Sequence, residues 1–500
     1  MKRIVNALGK LGWEKRAYAV FLLCAATAIT LSAQITTLFT FDGTHGASPY
    51  AELVQATNGD LYGTTWGGGA KNAGTVFKIN PAGTLTTLYS FCSQANCTDG
   101  VEPEAGLFQA ANGDLYGTTF YGGSYNHGTV FRITPTGTLT TLYSFCSQSG
   151  CPDGSGPGAG LVQAANGDLY GTTYYGGVNF PGAGTVFKIT PTGTRTTVYI
   201  FCSQGSYPIC PDGALPNPWL SQATDGDLYG TAYEGGATNN GTVFRITPTG
   251  TLTTLYSFCP QSQCRDGSAP RAGLVQGANG DFYGTTAGDV FPYNLGTVFK
   301  ITPSGTLTTL YRFCPPSGCP DGASPGSSPS GLVQAADGDF YGTTYSGGAN
   351  GLNTGTVFKI TPAGMLTTLY SFCSQGTYPN CADGFAPWAG VVQDTNGDFY
   401  GTTLNGGAYN EGTVFRLSVG LGPFVKMRPP FGEVGAAVKI LGTNLTGATS
   451  VTFNGTVAVF YVVSGSEITT TVPAGATSGR LQVVTPSGTL SSIAVFRVMP

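Results

Sequence analysis

Cysteine is the residue type whose spacing in this sequence points most directly to chemistry. Twelve of the 13 cysteines form six pairs, and the two members of a pair lie five or eight positions apart. Cysteines this close in sequence close a short loop when they are oxidised, as is common in exported proteins. We therefore predict six disulfides, each within one loop: Cys92 with Cys97, Cys146 with Cys151, Cys202 with Cys210, Cys259 with Cys264, Cys314 with Cys319, and Cys373 with Cys381.

Metal binding is the alternative interpretation of the cysteines and of a set of recurring aspartates. Zinc needs a full set of thiolate or imidazole ligands, and the sequence has only two histidines, His45 and His127. Calcium needs many converging oxygen atoms, whereas the aspartates that recur along the chain each stand next to glycine, as in a tight turn. We expect no metal and no cofactor. The two recurring sets are Asp60, Asp114, Asp168, Asp227, Asp281, Asp339 and Asp398, and Asp42, Asp99, Asp153, Asp212, Asp266, Asp321 and Asp383.

Catalysis has few candidate residues. The sequence contains no G-x-S-x-G motif, no H-E-x-x-H motif and no phosphate-binding loop. Glu102, Glu104, Glu234 and Glu411 depart from the repeat pattern described next, and paired carboxylates are the catalytic groups of most glycosidases. A carbohydrate-active hydrolase or lyase therefore stays open as the alternative to a protein that only binds its ligand.

All of these residues belong to a repeat of 54 to 59 residues. A complete copy holds four short runs rich in Val, Leu, Tyr, Phe and Thr, separated by Asn-Gly or Asp-Gly turns and by Pro-x-Gly turns. Such runs predict four successive antiparallel strands, with no room for a helix between the first two or the last two. The block NGDLYGTT or a close relative begins at Asn58, Asn112, Asn166, Asp225, Asn279, Asp337 and Asn396.

The ends of the repeat region distinguish a closed ring from an open β-solenoid. The seventh copy stops after GTVFRLSV and lacks its fourth strand, while residues 35–41 match the fourth strand of the first copy, residues 85–91. An N-terminal strand that completes the last sheet would remove the exposed edges. We therefore predict an all-β fold, a seven-bladed β-propeller with four-stranded blades whose N-terminal strand closes the last blade.

The two ends of the chain differ from the repeats. Residues 1–33 carry basic residues, then an apolar run and a small-residue stop at Ser32-Ala33, which predicts a signal peptide or a retained signal anchor. Residues 34–420 are assigned to the propeller and 421–500 to a small β-sandwich. Removing 1–33 would change the net charge from −4 to −8, because this segment holds five basic residues and one acidic residue. We expect a secreted or cell-surface protein without nucleic-acid binding and without a membrane span after signal removal.

The loops between the second and third strands vary among the copies, as do the cysteine-containing loops on the same face. The fold therefore does not constrain the residues in these loops, and they are available for binding. They are rich in Tyr, Asn and Gly, which suit an extracellular glycan or protein ligand. The alternative is that these rings only cap the blade edges. Our candidate ligand-binding residues are Trp66, Tyr121, Tyr125, Tyr174, Tyr175 and Tyr233.

Both parts of the chain resemble known families. The repeats, through NGDLYGTT, the Gly-Gly that follows and GTVFKITPTGTLTTLY, resemble the GloVer tandem-repeat family of bacterial exported proteins. This resemblance implies a secreted or surface protein of unassigned biochemical role. The C-terminal part, through GTNL from Gly442 and VPAGA from Val472, resembles the IPT/TIG family, which implies an immunoglobulin-like fold and says little about function.

Overall fold

The computed structural model describes residues 33–177, 182–205, 207, 209–216, 219–261, 263–288, 295–314, 319–325 and 331–499. The predicted signal segment lies outside the described residues apart from Ala33. The described chain is built of β-strands, with one short 3-10 turn at Ala95–Cys97. No helix among the described residues is long and apolar enough to cross a membrane.

Each sequence repeat contributes strands in the predicted order, joined as antiparallel neighbours. The first strands are Val54–Gln55, Phe108–Gln109, Val162–Gln163, Ser221–Gln222, Val275–Gln276, Val333–Gln334 and Val392–Gln393. The second strands are Leu61–Thr65, Leu115–Thr119, Leu169–Thr173, Leu228–Ala232, Phe282–Thr286, Phe340–Ser346 and Phe399–Thr403. The third strands are Thr75–Ile79, Thr129–Ile133, Thr185–Ile189, Thr242–Ile246, Thr297–Ile301, Thr356–Ile360 and Thr413–Ser418. The fourth strands are Leu85–Ser90, Leu139–Ser144, Arg195–Ile200, Leu252–Ser257, Leu307–Arg312 and Leu366–Ser371.

The last repeat takes its fourth strand from the other end of the chain. Gln34–Thr40 pairs antiparallel with Thr413–Ser418, in the place that the missing fourth strand would occupy. Phe41 continues this strand and donates its backbone N–H to the Gly412 carbonyl at 2.9 Å. A Cβ atom on Gly412 would lie 2.7 Å from Cδ of Pro49, so this position must stay glycine for the first repeat to pack against the last.

The sheets pack against one another face to face through aromatic rings. The second strands are buried on both faces, as in Leu61–Thr65 and Leu115–Thr119. Their sequences therefore do not alternate between apolar and polar residues. At every junction, a phenylalanine after a fourth strand meets the phenylalanine of the next third strand edge to face, with ring centroids 5.1 to 5.3 Å apart. These pairs are Phe41 with Phe77, Phe91 with Phe131, Phe145 with Phe187, Phe201 with Phe244, Phe258 with Phe299, Phe313 with Phe358, and Phe372 with Phe415.

Antiparallel order places two kinds of connection at opposite ends of the sheets. One end, here called the NGD face, carries the Asn-Gly-Asp turns between the first two strands and the Pro-x-Gly turns between the last two. The other end, the variable-loop face, carries the connections between second and third strands and the loops that lead from one repeat to the next. Ala323–Pro325 belongs to one such loop and pairs with the extended second strand Phe340–Ser346.

The loops after the fourth strands carry the six predicted disulfides, each within one loop, so that prediction is confirmed. The aspartate of each loop is an internal hydrogen-bond acceptor: Asp99 accepts from the Tyr89 hydroxyl at 2.8 Å and from the Ser93 N–H at 2.9 Å. Five further Tyr–Asp bonds repeat this contact: Tyr143 to Asp153, Tyr199 to Asp212, Tyr256 to Asp266, Tyr311 to Asp321, and Tyr370 to Asp383. One loop also contains a short hairpin, Gly376–Thr377 with Asn380–Cys381.

The loop after the N-terminal strand lacks cysteines and uses a different contact. Nδ1 of His45 lies 2.9 Å from Oδ2 of Asp42, and the His45 N–H donates to Oδ1 of the same aspartate at 2.8 Å. A cleft of about 530 Å³ lies beside this loop, against Gly69 and Ser90. The other histidine, His127, lies near the sulfurs of Cys146 and Cys151, but these are bonded to each other and therefore do not act as metal ligands.

The aspartates of the NGD turns pair with basic residues of the third strands. Distances range from 2.8 Å for Arg245 with Asp227 to 3.9 Å for Lys78 with Asp60. Asn58 Oδ1 accepts from the Asp60 N–H at 3.1 Å, which is an Asx turn. Both recurring sets of aspartates thus act within their own turns and loops.

The C-terminal module is a sandwich of two sheets around its own core. One sheet contains Lys426–Arg428, Ala437–Leu441, Glu467–Thr471 and Phe460–Val462, and the other contains Phe431–Gly432, Gly488–Val498, Gly479–Thr485, Ser450–Phe453 and Thr456–Val457. Buried Ile440, Val451, Phe453, Ile468 and Phe496 fill the space between the sheets.

Candidate functional site

The C-terminal module sits on the NGD face. Arg428 donates from Nη2 to the Gln55 carbonyl at 2.8 Å and from Nη1 to the Gln109 carbonyl at 3.1 Å. These carbonyls end the first strands of the first two repeats. Arg497, on another edge of the module, donates to the Thr224 carbonyl of the fourth repeat at 2.8 Å. The module therefore spans the NGD ends of well-separated repeats.

A buried lysine adds to this contact. Lys426 Nζ donates to the carbonyl of Gln393 in the last repeat, and burial lowers the pKa of Lys426 to about 8. Burial also lowers the pKa of Arg428 to about 10, and its Nε has no hydrogen-bond partner among the described residues. Two partly desolvated cations in one contact are costly unless their donors are held in a fixed geometry. The arrangement indicates a specific docking of the module rather than a loose tether.

On the variable-loop face, the chain enters each repeat through the same rigid junction. A proline recurs at the same place in every repeat, and the residue before it adopts a left-handed conformation, with φ of 57° at Glu102 before Pro103. Such a conformation is unfavourable for a non-glycine residue and persists only where contacts enforce it. The Glu102 N–H donates to the Ala73 carbonyl at 2.9 Å, and its carbonyl accepts from the Phe120 N–H at 3.0 Å. Equivalent left-handed residues are Ser48, Leu215, Ala269, Ser324 and Ala386.

These junctions bring four aromatic side chains into one continuous row, which we call the aromatic arc: Tyr345, Trp388, Tyr50 and Trp66. Ring centroids are 5.1 Å apart for Tyr345 and Trp388, 5.3 Å for Trp388 and Tyr50, and 6.2 Å for Tyr50 and Trp66. The arc crosses from the sixth repeat over the seventh to the first. Trp66 is 38% exposed and the other three are partly buried, so the row is accessible from solvent.

Two carboxylates lie beside the arc. Burial raises the pKa of Glu102, and the neighbouring Trp66 indole partly opposes this rise. Burial and the neighbouring Glu102 carboxylate raise the pKa of Glu104 to about 7. Burial, with the charge of Glu104 as the next cause, raises the pKa of the Tyr50 hydroxyl. Both carboxylates therefore act electrostatically on Tyr50, a member of the arc.

A second aromatic group continues around the same face. Phe120 contacts Tyr121 at 4.9 Å and Tyr174 at 6.5 Å, and Tyr174 contacts Tyr175 at 4.6 Å. Further on, the Arg271 guanidinium lies 4.6 Å from the centroid of the Tyr233 ring and donates to its hydroxyl at 2.9 Å.

One more large aromatic side chain, Trp219, packs against two neighbouring repeats. A Cβ atom on Gly160 would lie 2.2 Å from Cε2 of this indole, and one on Gly106 would lie 2.9 Å from its Cζ2. Bare glycines in two repeats therefore make room for a tryptophan from a third. The Trp219 Nε1 is buried and has no hydrogen-bond partner among the described residues.

Four of the six predicted binding residues belong to the two aromatic groups. Trp66 belongs to the arc; Tyr121, Tyr174 and Tyr175 belong to the second group; and Tyr233 pairs with Arg271. Tyr125 is 51% exposed at the tip of its loop. Sequence reasoning missed Tyr50, Tyr345, Trp388, Arg271 and Trp219. A signal was present for three of them, because the residue after the junction proline differs between copies: Tyr50, Glu104, Gly158, Arg271 and Trp388 are five of these positions.

Together, the repeated sheets and the terminal sandwich define a class: an all-β, propeller-like repeat protein with an immunoglobulin-like module. A profile of the Gloeobacter/Verrucomicrobia repeat matches residues 24–210, 153–328, 206–382 and 319–437. The chain belongs to this repeat family. The IPT/TIG domain profile matches residues 424–498, so both predicted resemblances are confirmed.

No curated protein sequence matches the chain. Similar solved structures include a fungal alcohol oxidase in complex with copper, 13% identical, covering 93% of this chain and 99% of that one, with a TM-score of 0.49. PorZ, a surface component of the type-IX secretion system of Porphyromonas gingivalis, is 15% identical, covering 92% and 61%, with a TM-score of 0.46. An auxiliary nutrient binding protein of Bacteroides ovatus is 15% identical, covering 77% and 76%, with a TM-score of 0.40.

Proposed function

We propose that this chain is a secreted or cell-surface binding protein, built as a closed seven-bladed propeller, whose ligand site is the variable-loop face. The observation that carries the proposal is the aromatic arc, a row of accessible rings mounted on rigid left-handed junctions. Rigid aromatic side chains supply large contact area at low entropic cost, which is what binding surfaces use. The ligand is a glycan or a protein of the extracellular space.

The position of the module supports this choice of face. Arg428 and Arg497 hold it against the NGD ends of the repeats. A partner approaching the centre of the NGD face would have to displace these contacts. The variable-loop face, in contrast, presents Trp66, Tyr121 and Tyr175 with more than a third of each side chain exposed.

The closed seven-bladed ring is supported by the junction between the last and first repeats. Phe41 meets Phe77 at 5.3 Å there, the same contact that joins each other pair of neighbours. Export is supported by the six disulfides, since such bonds persist in oxidising compartments.

A carbohydrate-active hydrolase or lyase is the second candidate. Its supporting observation is Glu104, whose pKa of about 7 beside a second carboxyl group, Glu102, suits a general acid. Product analysis on any glycan that binds would separate the two functions, because a binding protein returns the glycan intact.

The test is binding of the exported protein to arrays of extracellular glycans and surface proteins. Replacing Trp66, Tyr121 and Tyr175 together by Ala should weaken binding about tenfold or more while Tm stays near wild type, since exposed rings add little to the core. Tyr461→Ala is the matched control, because Tyr461 is 71% exposed on the module. Binding that survives the triple substitution, or falls with the control, would contradict the assignment to this face.

A further inference from the structure

We propose that the aromatic arc together with Glu102 and Glu104 recognises a carbon-substituted ammonium group on the ligand. The inference rests on the proposed function, because it names the chemistry that the variable-loop face would bind. The trimethylammonium head of choline and the amine of an amino sugar share this chemistry, and the experiment below distinguishes them.

The shape of the arc favours a compact group over a flat one. Successive rings are turned by 87° between Tyr345 and Trp388, 55° between Trp388 and Tyr50, and 41° between Tyr50 and Trp66. Rings inclined in this way turn their faces in different directions and do not form one flat platform. Aromatic faces attract cations through their quadrupole and also pack against methyl and methylene groups, so ring faces of this kind suit an alkylated ammonium.

Glu102 and Glu104 add two acidic groups in a fixed place beside the arc, and a bound cation would favour their charged forms. Glu102 is held by two backbone hydrogen bonds, and the indole of Trp66, a member of the arc, influences its carboxyl group. Pro103 follows it and packs against Gly74, where a Cβ atom would lie only 2.5 Å from the proline Cδ. Glu104 comes next and is close enough to influence Tyr50. Both acidic groups therefore act electrostatically on Tyr50, a member of the arc.

No basic side chain forms an ion pair with Glu102 or Glu104 in the part of the chain that the structure describes. Arg271, on the same face, stacks on Tyr233 and donates to its hydroxyl. Two neighbouring carboxylates that are partly buried without a cation destabilise each other. An ammonium ion from the ligand would supply the missing positive charge, whereas a neutral sugar would not.

The experiment is calorimetric titration of the exported protein with choline and with its neutral isostere, in which carbon replaces nitrogen. We expect choline to bind at least about tenfold more tightly than the isostere, since only the charge differs. Oligomers of glucosamine and of N-acetylglucosamine form the second pair, and preference for the free amine would identify an amino glycan as the source. Tighter binding of choline than of either oligomer would identify a quaternary ammonium ligand.

Conservative variants link the preference to these residues. Glu104→Gln and Trp388→Leu should each weaken binding of the preferred cation about tenfold, provided that Tm shows a folded protein. Glu234→Gln is the control, because that carboxylate lies on the same face and accepts a hydrogen bond from Tyr207 at 2.7 Å. The Glu234→Gln variant should bind the preferred cation as tightly as the wild type does.

Equal binding of choline and its isostere, or no binding of either amine, would overturn the inference. A neutral glycan or a protein that binds and is lost in the Trp66, Tyr121 and Tyr175 triple variant would overturn it too, yet leave the proposed function standing. Loss of cation binding in Glu234→Gln as well would place the site elsewhere and contradict the inference. The two proposals therefore fail in different experiments.

Discussion

The backbone N–H of Thr395 donates to Oε1 of Gln55 at 3.2 Å, although the two residues lie 340 positions apart. Thr395 is in the last repeat and Gln55 in the first. The same contact joins neighbouring repeats elsewhere, as when Thr57 N donates to Gln109 Oε1 at 3.0 Å. Gln55 also donates from Nε2 to Oδ1 of Asp394 at 2.9 Å. The junction between the first and last repeats is thus built like the junctions between other neighbouring repeats.

Deleting residues 34–41 should therefore destabilise the whole repeat region. The deletion exposes the backbone edge of Thr413–Ser418 and removes the contact between Phe41 and Phe77. We expect a lower Tm and a smaller monomer fraction, measured by thermal unfolding and light scattering. A chain lacking only residues 1–33 is the control, and equal behaviour of the two chains would argue against a closed ring.

Replacing Glu104 by Gln should stabilise the protein at neutral and alkaline pH. The pKa of Glu104 is raised from 4.5 to about 7 in the folded state, so ionisation costs the folded state stability as pH rises through this window. The gain in Tm should be near zero at pH 4 and reach a plateau above pH 7. At the plateau, the free energy of unfolding should be higher by on the order of 2 kcal/mol. Glu102→Gln should give a smaller gain with the same sign, since its pKa is also raised. A gain that does not change with pH would show that Glu104 does not titrate in this way.

Arg428→Ala should loosen the docking of the module on the repeats without unfolding either part, because Lys426 and Arg497 still contact the repeats. The substitution removes the donors to the Gln55 and Gln109 carbonyls and leaves the buried core around Ile440 and Phe453 untouched. We expect faster proteolysis of the segment between 419 and 426, read by mass spectrometry. Arg480→Ala, on an exposed strand of the module, is the control. Unchanged cleavage in Arg428→Ala would mean that the docking does not depend on this residue.

Non-reducing peptide mapping of the exported protein should recover the six links within single loops. Replacing Cys146 and Cys151 together by Ser should cost on the order of 2 kcal/mol, because the closed loop is short. The Tyr143–Asp153 hydrogen bond remains to hold the same loop, which limits the loss. Dominant links between different loops would contradict the structure.

The sequence by itself determined the local features of this protein. Strand runs and turns depend on neighbouring residues, so NGD and Pro-x-Gly turns predict the antiparallel sheets directly. The disulfides follow for the same reason, since their partners lie at most eight positions apart. Comparison of copies also predicts that residues near the N-terminus pair with the last repeat, as Gln34–Thr40 does with Thr413–Ser418.

Only the tertiary structure decided which residues meet at the candidate site. Tyr50 and Trp388 come from opposite ends of the repeat region and touch because the first and last repeats are neighbours. Each of the two comes two residues after a left-handed residue, Ser48 or Ala386. Hydrogen bonds to the adjacent repeat impose that left-handed conformation. Docking of the module through Arg428 likewise depends on carbonyls brought together from separate repeats. Contacts between distant parts of the chain arise from packing, and no local pattern encodes their geometry.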